Sequence, residues 1–400
     1  MMMCVDVLRV AGVWLWLCLW GTVAMGQGVV QRFGMGANGF PESVVVTGDT
    51  LWTAQVGPVG AESGSVVEQL RACLRELERI VQPQGGTLAA VARLHLYGES
   101  EEVLAAAREA LQLQWPEAEH RPALTQVVSE VAGPGKLTLD AVLAVGVEDA
   151  AKRFVSEDVG RLPAGRQIYV AGQAESAESV SEATLATLQS LQRTLEFLGR
   201  GSADIVQLKA FVQPASGGED VRRAVQQFFG PDRPQPPLVI VEWKSSARVP
   251  VEIELVAAGG PGIAGQPSVA WVTPPGMTKS PIYSRVCVIQ GRSLILTSGV
   301  TAASAVGSES AEAAAAESTG VLENLQRIVK QAGGDFQHLV KATYYVSTDA
   351  ASVSLNAVRP RYYDPARPPA ASKAVVTSVG VRGAALAMDL IAVPVPTATP

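Results

Sequence analysis

The chain has 400 residues, of which 48% are hydrophobic and 18% are charged. This length predicts two or three domains, and the composition supplies ample material for their cores. The formal net charge of −6 gives no basic footprint, which argues against a nucleic acid as partner.

Residues 1–26 stand apart from the rest of the chain. A basic residue precedes an apolar run, Val10–Met25, that is too short to span a bilayer comfortably. Small residues, Ala24 and Gly26, occupy the two positions that a signal peptidase reads. We therefore predict a signal peptide that is cleaved before Gln27, and a secreted or periplasmic protein without a stable membrane span. A retained N-terminal anchor is the alternative.

Cysteines and histidines do not indicate a disulfide framework or a metal site. Only Cys73 and Cys287 lie beyond the signal peptide, and two lone cysteines are expected to be buried and unreactive. The three histidines are scattered, with no second His or Cys at ligand spacing. Because the chain also lacks a P-loop and a G-x-S-x-G elbow, we predict no metal and no cofactor.

One pattern occurs three times along the chain: an amphipathic helix, a glycine stop and a strand rich in Val, Thr and Tyr. It is clearest at Val321–Val346, where the helix ends at Gly333-Gly334 and a strand follows. The earlier copies are Val67–Tyr97 and Val180–Val212. Corresponding strand positions are 114 and then 134 residues apart, so the repeat has the size of a domain.

Each copy continues through a second helix to a closing strand, which begins 47, 45 and 47 residues after the matched strand position. This order predicts three β-β-α-β-α-β-β domains of the α+β class, each with two helices on one face of a mixed sheet. Because the other sheet faces need a partner, we expect mutual burial around a pseudo-threefold axis. The predicted ranges are 40–146 for domain 1, 147–258 for domain 2 and 280–395 for domain 3, with a Gly/Pro-rich linker over 259–279.

The first two strands of a domain are predicted to form a hairpin. In domain 1 these strands are Val44–Val46 and Leu51–Val56, with turn residues between them. In domain 3 they are Val286–Ile289 and Ser293–Thr297.

Short motifs recur in a shared order, most clearly in domain 3. They include PIYS at Pro281–Ser284, LTSG at Leu296–Gly299, RPPAAS at Arg367–Ser372 and DLIAV at Asp389–Val393. These segments resemble the PYS, TSG, RPARS and EAIAV motifs of the Rid/YjgF family of reactive-intermediate (imine) deaminases. Weaker similarity extends to YVAGQ at Tyr169–Gln173 and VEIE at Val251–Glu254 in domain 2, and to Leu51–Thr53, Arg121–Ala123 and Leu139–Val142 in domain 1.

The resemblance implies the chorismate-mutase-like Rid fold. Since members of that family are homotrimers with ligand clefts between subunits, it also implies a covalent pseudo-trimer with three inter-domain clefts. The implied chemistry is hydrolysis of 2-imino acids to 2-keto acids and ammonia. In this chemistry a guanidinium fork clamps the substrate carboxylate, while a carboxylate and backbone groups position the attacking water.

The chain departs from the family at the residues that carry this chemistry. The clamp arginine of RPARS falls on Leu124 in domain 1, near Pro237 or Leu238 in domain 2, and on Ala371 in domain 3. The water-orienting glutamate survives only as Glu252. We therefore expect the family deaminase activity to be absent.

Other residues could serve such clefts. Lys373 lies two residues past Ala371, so on a strand it projects from the same face and offers a point charge. Arg359 lies within one helical turn of Asn356. A solvated surface residue is the plain alternative for these cations and for Glu252. The candidate catalytic residues are Glu252 and Lys373, and the candidate ligand-binding residues are Tyr283, Ser298, Gly299, Asn356, Arg359 and Gly172.

Three functions remain open. The first is an exported, monomeric pseudo-trimer that lacks imine chemistry and binds a small molecule at its inter-domain clefts. The second is a weak 2-imino acid deaminase that uses one mixed cleft with Lys373, Tyr283 and Glu252 from different domains. The third is a structural scaffold whose clefts are filled by side chains.

Overall fold

A computed structural model describes residues 28–130, 133–147, 155–244, 249–302 and 310–395. The predicted signal peptide lies outside these residues. The described residues form three mixed sheets and six α-helices, which confirms the predicted α+β class. Within them, no helix is long and apolar enough to cross a membrane.

The helices are α1 (Val66–Val81), α2 (Glu101–Gln114), α3 (Val180–Phe197), α4 (Gly218–Phe229), α5 (Ala311–Gln331) and α6 (Asp349–Val358). The strands are β1 (Val29–Phe33), β2 (Ser43–Thr47), β3 (Asp49–Thr53), β4 (Val91–Gly98), β5 (Ala123–Val128), β6 (Leu137–Val145), β7 (Val159–Leu162), β8 (Gly165–Gln173), β9 (Ile205–Val212), β10 (Leu238–Glu242), β11 (Val251–Gly260), β12 (Val269–Val272), β13 (Val286–Gly291), β14 (Ser293–Thr297), β15 (Leu339–Val346), β16 (Ala370–Val375) and β17 (Leu386–Ala392). Strand β12 forms within the segment predicted as a linker.

Local sequence signals position the three long helices. Each begins after a serine N-cap, Ser65, Ser179 or Ser310, whose side chain accepts a hydrogen bond from a backbone N–H in the first turn. Each is followed by a glycine in the left-handed region, a conformation that costs glycine little because it has no Cβ. These glycines are Gly85 (φ 77°), Gly199 (φ 71°) and Gly333 (φ 84°).

The strand that follows each long helix lies inside its sheet. Strands β4, β9 and β15 pair in parallel with β5, β10 and β16, and antiparallel with the closing strands β6, β11 and β17. The full orders are β5-β4-β6-β3-β7, β10-β9-β11-β8-β13-β12 and β1-β2-β14-β17-β15-β16. The same arrangement in all three sheets confirms the triplicated fold.

The predicted hairpins are wrong, because the first strand of each domain joins the sheet of another domain. Strand β2 pairs with β14 of domain 3, β7 with β3 of domain 1, and β13 with β8 of domain 2. A single residue separates β2 from β3 and β13 from β14, which is too short for a two-residue hairpin turn. Gly48, at φ 118°, redirects the chain from one sheet to the next. The three domains therefore form a closed ring of exchanged strands.

The sheet faces that carry no helices pack together at the centre of the molecule. One buried cluster combines side chains from all three domains, including Trp52, Tyr169 and Leu296 at equivalent positions. The rings of Trp52 and Tyr169 meet edge to face, with centroids 6.4 Å apart. This confirms the predicted mutual burial. Cys73 and Cys287 are also buried, and burial raises the pKa of both thiols to about 12, as expected of unreactive cysteines.

A buried polar layer crosses the contacts between the domains. The ring of His95 lies between two carboxylates, with Nδ1 3.0 Å from Asp140 Oδ1 and Nε2 3.3 Å from Asp389 Oδ2. Burial raises the pKa of Asp389, but the hydrogen bond and charge of His95 outweigh it, with help from Arg93 and Lys209, and bring that pKa to about 2. Through these two contacts His95 connects domain 1 with domain 3.

Candidate functional site

The strand registers place Leu124, Leu238 and Ala371 at equivalent positions in the three domains. They therefore assign the clamp position of domain 2 to Leu238 rather than Pro237. Each position lies beside another domain, since Leu124 O accepts from Gly299 N at 3.1 Å and Leu238 O accepts from the N–H of Gln55 at 3.1 Å. We call the three junctions the domain 1–3, domain 1–2 and domain 2–3 clefts.

The domain 1–3 cleft contains a cavity of about 410 Å³. Ser298 stands at its inner end, where its hydroxyl donates to Pro41 O (2.6 Å) and accepts from Leu124 N (2.8 Å). Ser298 thus joins the domains instead of presenting its hydroxyl to a ligand. The cavity is lined by Gly36, Ala37, Asn38, Phe40, Pro41, Glu42, Arg108, Ser298, Gly299, Val300, Thr301, Ala302, Asn324, Arg327, Ile328 and Val381.

Two arginines of this cavity differ in their pairing. Arg327 donates to both carboxylate oxygens of Glu42, at 2.8 and 2.6 Å. Arg108, on α2, makes one long hydrogen bond of 3.5 Å to Gln126 Oε1 within the described part of the chain. Arg108 is half-buried and keeps spare N–H donors, so it can bind an acceptor in the cavity.

The domain 1–2 cleft contains a cavity of about 370 Å³, but a side chain fills its inner end. Gln55 stands where domain 3 has Gly299. Its amide donates to Thr138 Oγ1 (2.8 Å) and accepts from Ile240 N (3.2 Å). Because the NH2 group and the carbonyl oxygen of its amide both make hydrogen bonds, Gln55 fills this cleft at a position where the other two clefts have glycine.

The domain 2–3 cleft combines Gly172 and Glu252 of domain 2 with β16 of domain 3. Gly172 N donates to Ser372 Oγ at 3.1 Å. The Glu252 side chain packs directly on Gly172, where an added Cβ would overlap its carboxylate. Glycine is therefore required at residue 172 so that the carboxyl group can lie against the strand.

Two cations of domain 3 lie in the same cleft. Along β16, residues 371, 373 and 375 are less buried than their neighbours, so Lys373 shares a face with Ala371 as predicted. Lys373 Nζ donates to Ser352 Oγ at 2.8 Å. Arg359 is only 6% exposed and its guanidinium lies over the ring of Tyr344, 5.1 Å from the centroid. The solvated alternative for Arg359 is therefore wrong.

Lys373 interacts electrostatically with both Glu252 and Arg359. Burial raises the pKa of Glu252 and nearby Glu254 adds to this effect, while Lys341 and Lys373 oppose it, so the pKa is about 7. Burial lowers the pKa of Lys373, as does the charge of Arg359, against the pull of Glu252. The cleft therefore holds a carboxyl group that changes charge near neutral pH beside two cations.

Comparisons with known proteins decide the family. The family model described as Endoribonuclease L-PSP matches residues 148–259 and 277–394, more than half of the chain. The chain belongs to this family. The predicted resemblance to Rid/YjgF proteins is thereby confirmed, and the two matches correspond to domains 2 and 3.

Solved structures of this family cover about one domain of the chain each. A YjgF family member from Neisseria meningitidis is 18% identical and covers 32% of this chain and 97% of its own (TM-score 0.24). A YjgF/YER057c/UK114 family member from Mycobacterium tuberculosis is 24% identical and covers 27% and 99% (TM-score 0.22). A Rid family protein from Yersinia pestis is 24% identical and covers 25% and 83% (TM-score 0.21). No curated protein matches the chain.

Most of the candidate residues of this L-PSP family chain lie in two clefts. Glu252, Lys373, Arg359 and Gly172 belong to the domain 2–3 cleft. Tyr283 is half-buried, packs against the central cluster and has Arg285 5.0 Å from its ring centroid. Within the described residues, no group of three or more His, Cys, Asp or Glu side chains is arranged to hold a metal ion. Ser298 and Gly299 line the domain 1–3 cavity, and Asn356 is exposed on α6.

Sequence reasoning missed Arg108. A signal for it was present, because Arg108 lies eight residues after the N-cap Ser100 and Asn356 lies eight residues after the N-cap Thr348. Arg108 is thus the domain 1 equivalent of a residue that was singled out in domain 3. The roles of all these residues in binding or catalysis stay predictions.

Proposed function

We propose that this protein is an exported pseudo-trimer that lacks the imine deaminase activity expected of Rid proteins and binds a small molecule at its inter-domain clefts. The observation that carries the proposal is the aliphatic residue at all three clamp positions, Leu124, Leu238 and Ala371. A carboxylate in such a cleft loses two charge-assisted hydrogen bonds from a guanidinium fork. Lysine nearby does not replace that planar geometry.

The second catalytic group is also missing from two clefts. The strand registers place Thr138 and Ala387 at the positions that correspond to Glu252. Neither side chain can take a proton from water near neutral pH. The domain 1–3 and 1–2 clefts therefore lack both the clamp and the water-orienting carboxylate.

Binding is supported by the domain 1–3 cavity. Its volume of about 410 Å³ lies in the usual range for small-molecule sites, and its lining is largely apolar with a few polar groups. Arg108 and Asn324 are two of these polar groups and come from different domains. Such a site can hold a compact ligand with one acceptor group directed at Arg108.

The loss of activity is tested with freshly generated 2-iminopropanoate and the mature protein. We expect the hydrolysis rate to equal the spontaneous rate. In the variant Ala371→Arg, a guanidinium stands opposite Glu252, so we expect measurable turnover. Turnover by the unmodified protein above the spontaneous rate would refute this part of the proposal, whether or not it survives in Glu252→Gln.

Ligand binding is tested by calorimetry with 2-oxobutanoate and benzoate as probes. The variant Thr301→Trp fills the cavity and should abolish binding, whereas Val353→Trp places the same ring on a surface that is 69% exposed and should leave binding unchanged. Failure of both probes to bind would favour the scaffold alternative. Export is tested by mass spectrometry of the secreted protein, which should begin at Gln27.

A second candidate function is weak deamination in the domain 2–3 cleft. It is favoured by Glu252, whose pKa of about 7 suits proton transfer at neutral pH, lying in the same cleft as Lys373. Here turnover of 2-iminopropanoate would be present in the unmodified protein. It would disappear in Lys373→Ala and in Glu252→Gln.

A further inference from the structure

Arg359 is a buried cation without a carboxylate partner in the part of the chain that the structure describes. Its side chain is 6% exposed, and its Nε has no hydrogen-bond acceptor. Tyr344 lies under the guanidinium with its ring and is also hydrogen-bonded to it, but neither contact supplies the negative charge that a carboxylate partner would bring. A buried cation that is left unpaired is costly, so an acceptor at this position would stabilise the protein.

A second cation lies beside Arg359. Lys373 is half-buried, and its ammonium group is hydrogen-bonded to a neutral hydroxyl, that of Ser352. The charge of Arg359 lowers the pKa of Lys373, as expected for two like charges that lie close together. The two residues reach this place from different elements, the turn after α6 and strand β16.

The groups around Glu252 leave these two charges unbalanced. Glu252 is faced by Glu254 on its own strand, by Lys341 on β15 and by Lys373 on β16. Lys341 and Glu254 form an ion pair at 2.5 Å and largely cancel each other. Two cations and one carboxyl group remain, and that carboxyl group is charged only about half of the time near pH 7.

We propose that the domain 2–3 cleft binds a small, doubly charged oxyanion, with Arg359 and Lys373 as its cations and the protonated carboxyl group of Glu252 as a hydrogen-bond donor. The proposal rests on the proposed function in that it names the ligand chemistry of one inter-domain cleft. A tetrahedral oxyanion has enough acceptors for the guanidinium, the ammonium and the Ser352 hydroxyl at once. A free inorganic anion and the phosphate group of a metabolite share this chemistry.

Binding of a dianion is coupled to a proton. Ionised Glu252 repels the ligand, so the binding-competent form is the protonated one. With a pKa of about 7, about nine-tenths of Glu252 is protonated at pH 6 and about one-tenth at pH 8. The affinity should therefore fall about tenfold between these two pH values.

Sulfate is the sharpest probe, because it stays doubly charged across this pH range. We would titrate the mature protein with sulfate by calorimetry at pH 6 and pH 8, at constant ionic strength set with chloride. The expected result is a single site whose affinity is about tenfold higher at pH 6. Glu252→Gln should remove this pH dependence, and Lys373→Met should weaken binding at least tenfold at pH 6.

The matched control removes a cation of the same type from the same turn. Arg361 is exposed and only two residues from Arg359, so Arg361→Met should change the sulfate affinity less than twofold. Lys373 is only half-buried, so Lys373→Met is expected to fold even if Arg359→Met does not, and circular dichroism checks this. A phosphate monoester titrated alongside distinguishes a metabolite site from a site for the free anion.

Absence of saturable sulfate binding at pH 6 would overturn the proposal. An equal loss of sulfate affinity in Lys373→Met and Arg361→Met would also overturn it, because it would show that sulfate responds only to the overall charge of the protein. Neither result says anything about ligand binding in the domain 1–3 cavity. The proposed function is judged there separately, by 2-oxobutanoate and benzoate with Thr301→Trp. Sulfate binding without binding of these two probes would leave the domain 2–3 cleft as the ligand site.

Discussion

Asp389 is the residue whose replacement should most directly loosen the contact between domains 1 and 3. Its carboxylate lies 3.3 Å from His95 Nε2, 3.3 Å from Thr125 Oγ1 and 3.6 Å from Arg93 Nη1, all of which belong to domain 1. The side chain is 3% exposed. Asp389→Asn keeps the shape of the side chain but removes the negative charge that faces Arg93 and the ring of His95.

Two estimates of the cost agree in order of magnitude. Removing one partner of a buried ion pair typically costs about 3–5 kcal/mol. The pKa of Asp389, lowered from 3.8 to about 2, corresponds to about 2 kcal/mol of stability. Because the folded pKa is depressed, this contribution is present above the unfolded pKa and disappears as the pH falls from about 4 towards 2. We therefore expect Asp389→Asn to lower the free energy of unfolding by about 2–5 kcal/mol at pH 7.

Urea unfolding followed by tryptophan fluorescence measures this loss, since Trp52 and Trp243 are buried in two clusters to which all three domains contribute. Asp349→Asn is the matched control, because Asp349 is an exposed residue of the same domain. Removing the charge of Asp349 should lower the free energy of unfolding by only a few tenths of a kcal/mol, because it lies in the first turn of α6, where a negative charge interacts favourably with the helix dipole. A loss below about 1 kcal/mol in Asp389→Asn, or an equal loss in both variants, would refute the reasoning.

Three further predictions concern glycines and Glu252. Gly160→Ala should lower stability by about 1–3 kcal/mol, since an added Cβ would overlap the carbonyl of Val206, whereas Gly201→Ala has open space and should change it little in the same urea titration. Glu252→Gln should raise the free energy of unfolding above pH 7 by up to about 3 kcal/mol. The pKa of Glu252 is about 7 in the folded state and lower in the unfolded state, so the folded state loses stability as the pH rises from the unfolded pKa to the folded pKa. Unchanged stability of the variant at pH 8 would contradict this. Gly172→Ala should displace the carboxyl group of Glu252 towards solvent and lower its pKa, which a carboxyl-carbon NMR titration would show; an unchanged pKa would count against the described packing.

Periodicity and glycine stops were enough to predict the repeated helices and strands. The N-caps and left-handed glycines that bound α1, α3 and α5 act within a few residues of chain, so local sequence determines them. The prediction that the clamp arginine is absent came from the same kind of reading, because a motif aligned by order and spacing indicates which residue stands at its key position. Burial of Cys73 and Cys287 followed from their number and surroundings.

Strand partners were not readable in this way. The segments on either side of Gly48 carry the local pattern of a hairpin, yet β2 and β3 enter different sheets. Either pairing buries the same alternating side chains, so the hydrophobic pattern cannot distinguish them. The choice depends on the length of the connection and on the edge strand that another domain offers.

Sequence by itself determined that this chain repeats one α+β unit three times, and it predicted that Leu124, Leu238 or Pro237, and Ala371 stand where the Rid motif has its arginine. Tertiary structure alone decided which residues share a cleft or a buried network. His95 meets its two aspartates across 45 and 294 residues of chain, and Glu252 of domain 2 shares a cleft with Lys373 and Arg359 of domain 3. Such partners are fixed by the packing of whole domains, and the burial that sets their charge exists only after that packing has formed.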